Sequence, residues 1–134
     1  MRPMTVGECM SKQFVTFTPD MPVVEAATAL IRNELLGGPV VDEQGSLIGW
    51  ISEQDCLGTV AQVMYYADRV ATVASIMRRD LLTVRDDLAV HDLAGQMQAH
   101  KPKIYPVVNA GGKLVGVISR RIVLREMCAF ITRR

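Results

Sequence analysis

The chain aligns with itself at an offset of 67 residues, without a gap, from residues 6–57 onto residues 73–124. Fifteen aligned positions are identical: Val6, Met10, Thr16, Asp20, Val23, Ala27, Pro39, Val40, Val41, Gly45, Leu47, Gly49, Ile51, Ser52 and Leu57, each with its partner 67 residues on. Many of the others exchange one apolar residue for another, as Ile48 does for Val115. A repeat of this length is a structural unit, so whatever fold the first copy adopts the second must adopt too. Any binding site should then exist in two related forms, and positions where the copies differ become informative.

Each copy alternates between strand and helix periods. The runs FVTF (14–17) and LLTV (81–84) are rich in branched and aromatic residues and read as short strands. Asp20 and Asp87 follow, placed to cap the next helix. Val23, Ala26, Ala27, Leu30 and Ile31 then share one helical face, repeated by Val90, Leu93, Ala94 and Met97. A hairpin comes next. PVVD (39–42) and SLIGWI (46–51) flank a turn ending at Gly45, and PVVN (106–109) and KLVGVI (113–118) flank one ending at Gly112. The two glycines share a repeat position, consistent with a turn that demands positive φ. A second helix closes each copy, from Glu53 to about Tyr66 and from Arg120 to about Ile131. The expected fold is mixed α+β: two β-α-β-β-α repeats, residues 5–66 and 73–131, with a linker at 67–72. One three-stranded sheet cannot bury both faces, so the repeats are expected to pack as a single pseudo-twofold globule.

Composition narrows the function classes. The 134 residues are 49% hydrophobic and 22% charged, which suits one compact domain with a real core and argues against disorder. A net charge of +1 gives no global attraction for nucleic acids or anionic membranes. The C-terminal stretch holds five arginines (120, 121, 125, 133 and 134) against Glu126, and reads as a solvated helix face or a dimer contact. Cys9, Cys56 and Cys128 lack metal-ligand spacing and read as reduced thiols, so no metal is expected. His91 and His100 read as surface residues. MRPMTVGECM has no apolar core of a signal peptide, and no run of about 18 apolar residues occurs, so the expected setting is cytoplasmic, without a membrane span. No nucleophile–base pair stands at a usable spacing, so no catalytic residues are expected.

The hairpin and the turn after it, PVVDEQGSLIGWISEQD from Pro39 to Asp55, together with the opening segments VGECM (6–10) and VASIM (73–77), resemble the cystathionine β-synthase (CBS) domain family. The resemblance covers about residues 5–127 and is most like the stand-alone tandem CBS proteins of bacteria. It implies a non-catalytic regulatory module. Such a pair binds AMP, ADP, ATP, S-adenosylmethionine or sometimes NAD in clefts between the repeats. It commonly forms a disk-like homodimer, and alone on its chain it would act on a regulated protein in trans.

The stretch Ser52-Glu53-Gln54-Asp55 lies where a strand gives way to a helix, so its backbone N–H groups favour an anion. Ser52 offers a hydroxyl to a phosphate, and an ionised Asp55 can accept from both ribose hydroxyls. Local chemistry allows a plainer reading, in which both residues merely cap the helix. In the family the matching Ser/Thr and Asp contact phosphate and ribose, and the resemblance adds Trp50, Leu36, Gly37, Met77, Leu81, Leu82 and Lys103 as the remaining wall. Lys103 reads either as a phosphate contact or as a solvated loop lysine. A second, weaker site would draw on Met10, Phe14, Val15, Ile104, Val117, Ser119 and Arg121. There Ile122 stands where Asp55 stands, and isoleucine cannot accept from ribose hydroxyls. One competent and one weak cleft are therefore expected. Gly37-Gly38 departs from the bulkier residues usual before this strand in the family, and either opens the cleft or loosens the turn. Two other functions remain: a ligand-free dimerisation or scaffold module whose clefts are filled by side chains such as Met77 and Trp50, and, least supported by the near-neutral charge, nucleic-acid binding through the arginine-rich end.

Overall fold

The computed structural model describes residues 3–65, 71–97 and 103–133. The chain runs through α1 (Val6–Cys9), α2 (Val23–Arg32), β1 (Gly37–Val41), β2 (Leu47–Ser52), α3 (Glu53–Tyr65), α4 (Val73–Ile76), β3 (Val84–Arg85), α5 (Val90–Gln96), β4 (Ile104–Val108), β5 (Leu114–Ser119) and α6 (Arg120–Thr132). The fold is mixed α+β. The expected linker at 67–72, the end of the first-copy helix at Tyr66, and His100 fall wholly or largely outside the described residues.

The hairpins form for the reasons their turns imply. β1 pairs antiparallel with β2 and β4 with β5, and both ladders shift register at the same place, between Val40 and Val41 and between Val107 and Val108. Gly45 and Gly112 have φ of 80° and 79°, the left-handed region in which any β-carbon would be strained. The residue opening each turn differs, yet performs one task. Asp42 Oδ1 accepts the amides of Gln44 and Ser46, and Asn109 Oδ1 those of Gly111 and Lys113. Only a short side-chain oxygen is required, so Asp and Asn serve equally.

The folded units do not follow the sequence repeats. One comprises Val15–Leu81, and the other Met1–Phe14 with Leu82–Arg134. Each repeat's opening segment is thus seated against strands of the other repeat. In the first unit the amides of Val73 and Ala74 donate to the carbonyls of Met21 and Pro19, and Arg78 exchanges backbone hydrogen bonds with Trp50. In the second, Val6 and Gly7 donate to Leu88 and Asp86, and Ser11 exchanges bonds with Val117. This exchange explains two of the repeated identities at once. A β-carbon built at Gly49 would lie 2.6 Å from Met77 Sδ, and one at Gly116 would lie 2.5 Å from Met10 Sδ. Each glycine makes room for the methionine of an opening segment.

Buried residues fall into one core per unit. Phe17, Val23, Ala26, Leu30, Val40, Ile51, Cys56, Val73 and Met77 form the first; Val6, Val84, Val90, Leu93, Met97, Tyr105, Val107, Ile118 and Val123 form the second. Each large apolar side chain among them contributes roughly 1.5–3 kcal/mol by leaving water.

Three local expectations need correction. The strand expected at 14–17 is reduced to a single parallel bridge between Phe17 and Val40, whereas its counterpart retains Val84–Arg85 paired with Val107 and Val108. The cause is Pro19: its repeat partner Asp86 donates its amide to Val108, and proline has none to give. Asp20 and Asp87 cap nothing. Pro22 and Ala89 occupy the cap positions, and the first helical amides, of Val23 and Val90, donate to the carbonyls of Ala71 and Met4. Asp87 instead pairs with Arg85 at 2.9 Å. Finally, Ile31 is 77% exposed, so the buried face of α2 is Val23, Ala26 and Leu30.

Candidate functional site

The unit Val15–Leu81 contains Leu36, Gly37, Trp50, Ser52, Asp55, Met77 and Leu81. β2 carries Trp50 and ends at Ser52, where α3 begins. Ser52 Oγ accepts the amide of Asp55 at 3.1 Å, and Leu36 O accepts that of Glu53 at 2.8 Å. Two amides expected to be open to an anion are therefore occupied within the fold, and Ser52 is a helix cap, as its counterpart Ser119 is for Ile122 at 3.2 Å. Asp55 keeps its carboxylate partly exposed at the rim, with the Nε of Arg78 on its Oδ2 at 3.2 Å.

Arg78 has no place in the sequence-based site, although it directly follows Met77. Its main chain is fixed by two bonds to Trp50, of 2.9 and 3.0 Å, while its side chain remains 65% exposed. The legible signal was charge complementarity in the copy that keeps Asp55. The repeat positions of Arg78 and Asp55 hold Ser11 and Ile122 in the other unit, so both charges are absent there together.

The wall differs in part from expectation. Met77 is buried, its sulfur against Gly49, and belongs to the core. Trp50 overlies Gly37: a β-carbon there would come within 2.6 Å of the indole Nε1. One at Gly38 would lie 2.6 Å from the Phe17 ring. Gly37-Gly38 thus neither opens a cleft nor loosens a turn; it makes space for two large rings. Leu36 is 58% exposed. Leu82 and Lys103 belong to the other unit, and they are the repeat counterparts of Val15 and Leu36, residues of this one.

That other unit, Met1–Phe14 with Leu82–Arg134, holds Met10, Phe14, Ile104, Val117, Ser119 and Arg121, while Val15 lies across the division. Met10 packs on Gly116, Val117 is buried, Ser119 caps α6, and Arg121 is exposed. Ile122 packs against the core, leaving an apolar rim where Asp55 stands in the first unit.

Burial pushes the thiols of Cys56 and Cys9 above their ordinary value, aided by the Asp55 charge in one case and Glu126 in the other. It likewise raises the Tyr105 phenol, which Arg120 partly offsets. Among the described residues no group of three His, Cys, Asp or Glu is arranged to hold a metal, and His91 is exposed beside Asp92. No helix among them is long and apolar enough to cross a membrane.

The chain is similar to the inosine-5'-monophosphate dehydrogenase of Methanocaldococcus jannaschii (27% identical over 119 residues, 89% of this chain and 23% of that protein). It is also similar to the L-aspartate semialdehyde sulfurtransferase of the same organism (30% over 120 residues, 90% and 22%). It spans less than a quarter of the length of these two relatives. Among solved structures it resembles CBSX2 from Arabidopsis thaliana (27% identical, TM-score 0.84, 99% of both chains) and CBSX2 in complex with AMP (29%, 0.79, 97% and 98%). It also resembles the CBS domain pair of protein MJ0100 in complex with 5'-methylthioadenosine and S-adenosyl-L-methionine (27%, 0.79, 96% and 98%). The CBS domain model matches residues 6–62 and again 73–129, which together take in both hairpins, both opening segments and most of both closing helices. The chain belongs to the CBS-domain family, as a tandem pair.

Proposed function

We propose that this CBS pair is a non-catalytic regulatory module that binds an adenosine-type nucleotide (AMP, ADP, ATP or S-adenosylmethionine) and acts on a partner protein in trans. The observation that carries this reading is Asp55. It is a partly exposed carboxylate in the first turn of α3, whose leading amide is bonded to the carbonyl of exposed Leu36, and it is paired with Arg78, whose main chain is bonded to Trp50, in a fold whose relatives of known structure hold AMP or S-adenosyl-L-methionine. A carboxylate accepts from both ribose hydroxyls, and apolar neighbours suit a purine. The unit with Ile122 at this position would bind weakly or not at all, since leaving ribose hydroxyls buried and unpaired costs on the order of 1–3 kcal/mol each.

Homodimerisation through helices is part of this proposal. Ile31 and Leu57 on α2 and α3, and Leu124, Phe130 and Ile131 on α6, are large apolar side chains between 49% and 77% exposed. Three free cysteines are consistent with a reducing, cytoplasmic setting. Any regulation requires that the ligand bind two states of the module with different affinity.

A second reading has its own support. Met77 and Trp50 occupy the space beside Gly49 and Gly37, and Asp55 already has a partner in Arg78, as a ligand-free scaffold would have them. Isothermal titration with AMP, ADP, ATP, S-adenosylmethionine and NAD separates the two. Saturable binding by one of them, weakened in Asp55→Ala, sustains the nucleotide reading. No heat and no shift in melting temperature with any of them would leave the scaffold.

A further inference from the structure

We propose that Arg78 determines which adenosine ligands this site accepts, favouring those with a 5'-phosphate over those that are neutral or cationic at that end. The inference rests on the nucleotide reading above and assigns it a residue that sets ligand class. The Nε of Arg78 sits on Asp55 Oδ2 at 3.2 Å. That is the carboxylate a ribose would need. Two ribose hydroxyls and the guanidinium compete for the two oxygens of that carboxylate, and the guanidinium can give way: a pair with one side chain 65% exposed is weak and solvent-screened. Its backbone does not move with it, because both polar groups of Arg78 are tied to Trp50. The displaced side chain therefore swings about a fixed anchor at the edge of the same site.

What the ligand carries decides the outcome. A phosphate gives the freed guanidinium a new anion, with a planar fork suited to two oxygens. The exchange then trades one charge-assisted contact for a better one. Adenosine displaces the arginine and returns nothing. S-adenosylmethionine brings a sulfonium, a cation set beside a cation. Neighbouring Arg79 is not an equivalent substitute, since its Nη2 lies on the carbonyl of Ala74 at 3.4 Å, on the opening segment's own helix. The other unit supports the coupling of the two charges. Ser11 and Ile122 replace Arg78 and Asp55 together, so the arginine accompanies the carboxylate rather than the fold.

The test is calorimetric titration of the full chain with AMP, adenosine and S-adenosylmethionine, for the wild type, Arg78→Gln and Arg78→Lys, at low and high salt. AMP should bind the wild type at least about tenfold more tightly than adenosine, as expected for one charge-assisted contact. In Arg78→Gln the ratio should fall towards one, through weaker AMP binding while adenosine binds as well or better. Arg78→Lys should retain part of the preference, and rising salt should erode it only where a cation remains. An AMP-to-adenosine ratio unchanged by Arg78→Gln overturns the inference and leaves the nucleotide reading standing, as does tighter binding of S-adenosylmethionine than of AMP by the wild type. Absence of binding by all three to the wild type overturns the inference, and the nucleotide reading falls with it if ADP, ATP and NAD also fail to bind.

Discussion

The two units solve the same packing problem with opposite distributions of bulk. In Val15–Leu81 the hairpin's first strand begins Gly37-Gly38, and the space is filled from outside it by Trp50 and Phe17. In the other unit the equivalent residues are Ile104 and Tyr105, and the smaller Val117 and Val84 stand at the repeat positions of Trp50 and Phe17. Tyr105 is buried in its core as Phe17 is in its own. The volume is preserved while its source moves from one strand to its neighbours. Interiors are close-packed, so neither half of such an exchange is free to change alone. The polar rim differs by a similar paired exchange, Asp55 and Arg78 against Ile122 and Ser11. In the unit Val15–Leu81 both differences fall on contacting positions, so they are read as pairs and not residue by residue.

The largest effect should come from breaking one half of the volume exchange. Gly38→Tyr is expected to destabilise the protein by about 3 kcal/mol or more, because its side chain would enter the Phe17 ring. Adding Phe17→Val should recover much of that loss. Urea denaturation of both singles and the double would give a coupling energy of at least about 1 kcal/mol; additivity would refute the paired exchange. Next in size is Asp55→Ala, which should weaken nucleotide binding by about 1–3 kcal/mol. The converse graft, Ser11→Arg with Ile122→Asp, should raise the titration stoichiometry if the rim pair is what the second unit lacks.

Gly49→Ala and Gly116→Ala should each cost about 1–2 kcal/mol, since the new methyl meets a methionine sulfur and also a backbone carbonyl at 3.1 or 2.9 Å. Equal costs would confirm that the two seats for the opening segments are equivalent; a large difference in melting temperature would show otherwise. A smaller effect concerns pH. Cys9, Cys56 and Tyr105 hold their protons more tightly when folded, so their contribution is complete below about pH 9 and declines as pH rises through the raised folded values. Stability measured from pH 8 to 10.5 should fall, and Cys56→Ser should flatten that slope. The smallest effect is on stability in Arg78→Gln, expected to be under about 1 kcal/mol for so exposed a pair.

How much was legible beforehand follows from the range of each interaction. The hairpins were plain because turn chemistry is local: a glycine at positive φ, an Asp or Asn to bind the turn, and strands of period two on either side. The helix caps were misread because the groups that satisfy α2 and α5 come from Ala71 and Met4, far along the chain, where no spacing rule looks. The shortened strand at Phe17 was readable in principle, since Pro19 was in plain view. At the candidate site, Ser52 and Asp55 were singled out through the repeat and the resemblance. Arg78 was missed because its partner lies 23 residues away and only the exchange of opening segments brings them together. The same exchange separates Lys103 and Leu82 from the unit that carries Asp55.

That exchange also has a consequence for ancestry. A solitary repeat would carry an opening helix whose seat lies in another repeat, and an empty seat of its own around Pro19, Met21 and Trp50. Such a polypeptide is complete only when two copies lend each other an arm. A single-repeat precursor would have needed a second copy to fold, and joining two copies in one chain makes that pairing permanent. Expressed alone, residues 1–66 should accordingly be found as a pair or remain unfolded, never as a stable monomer.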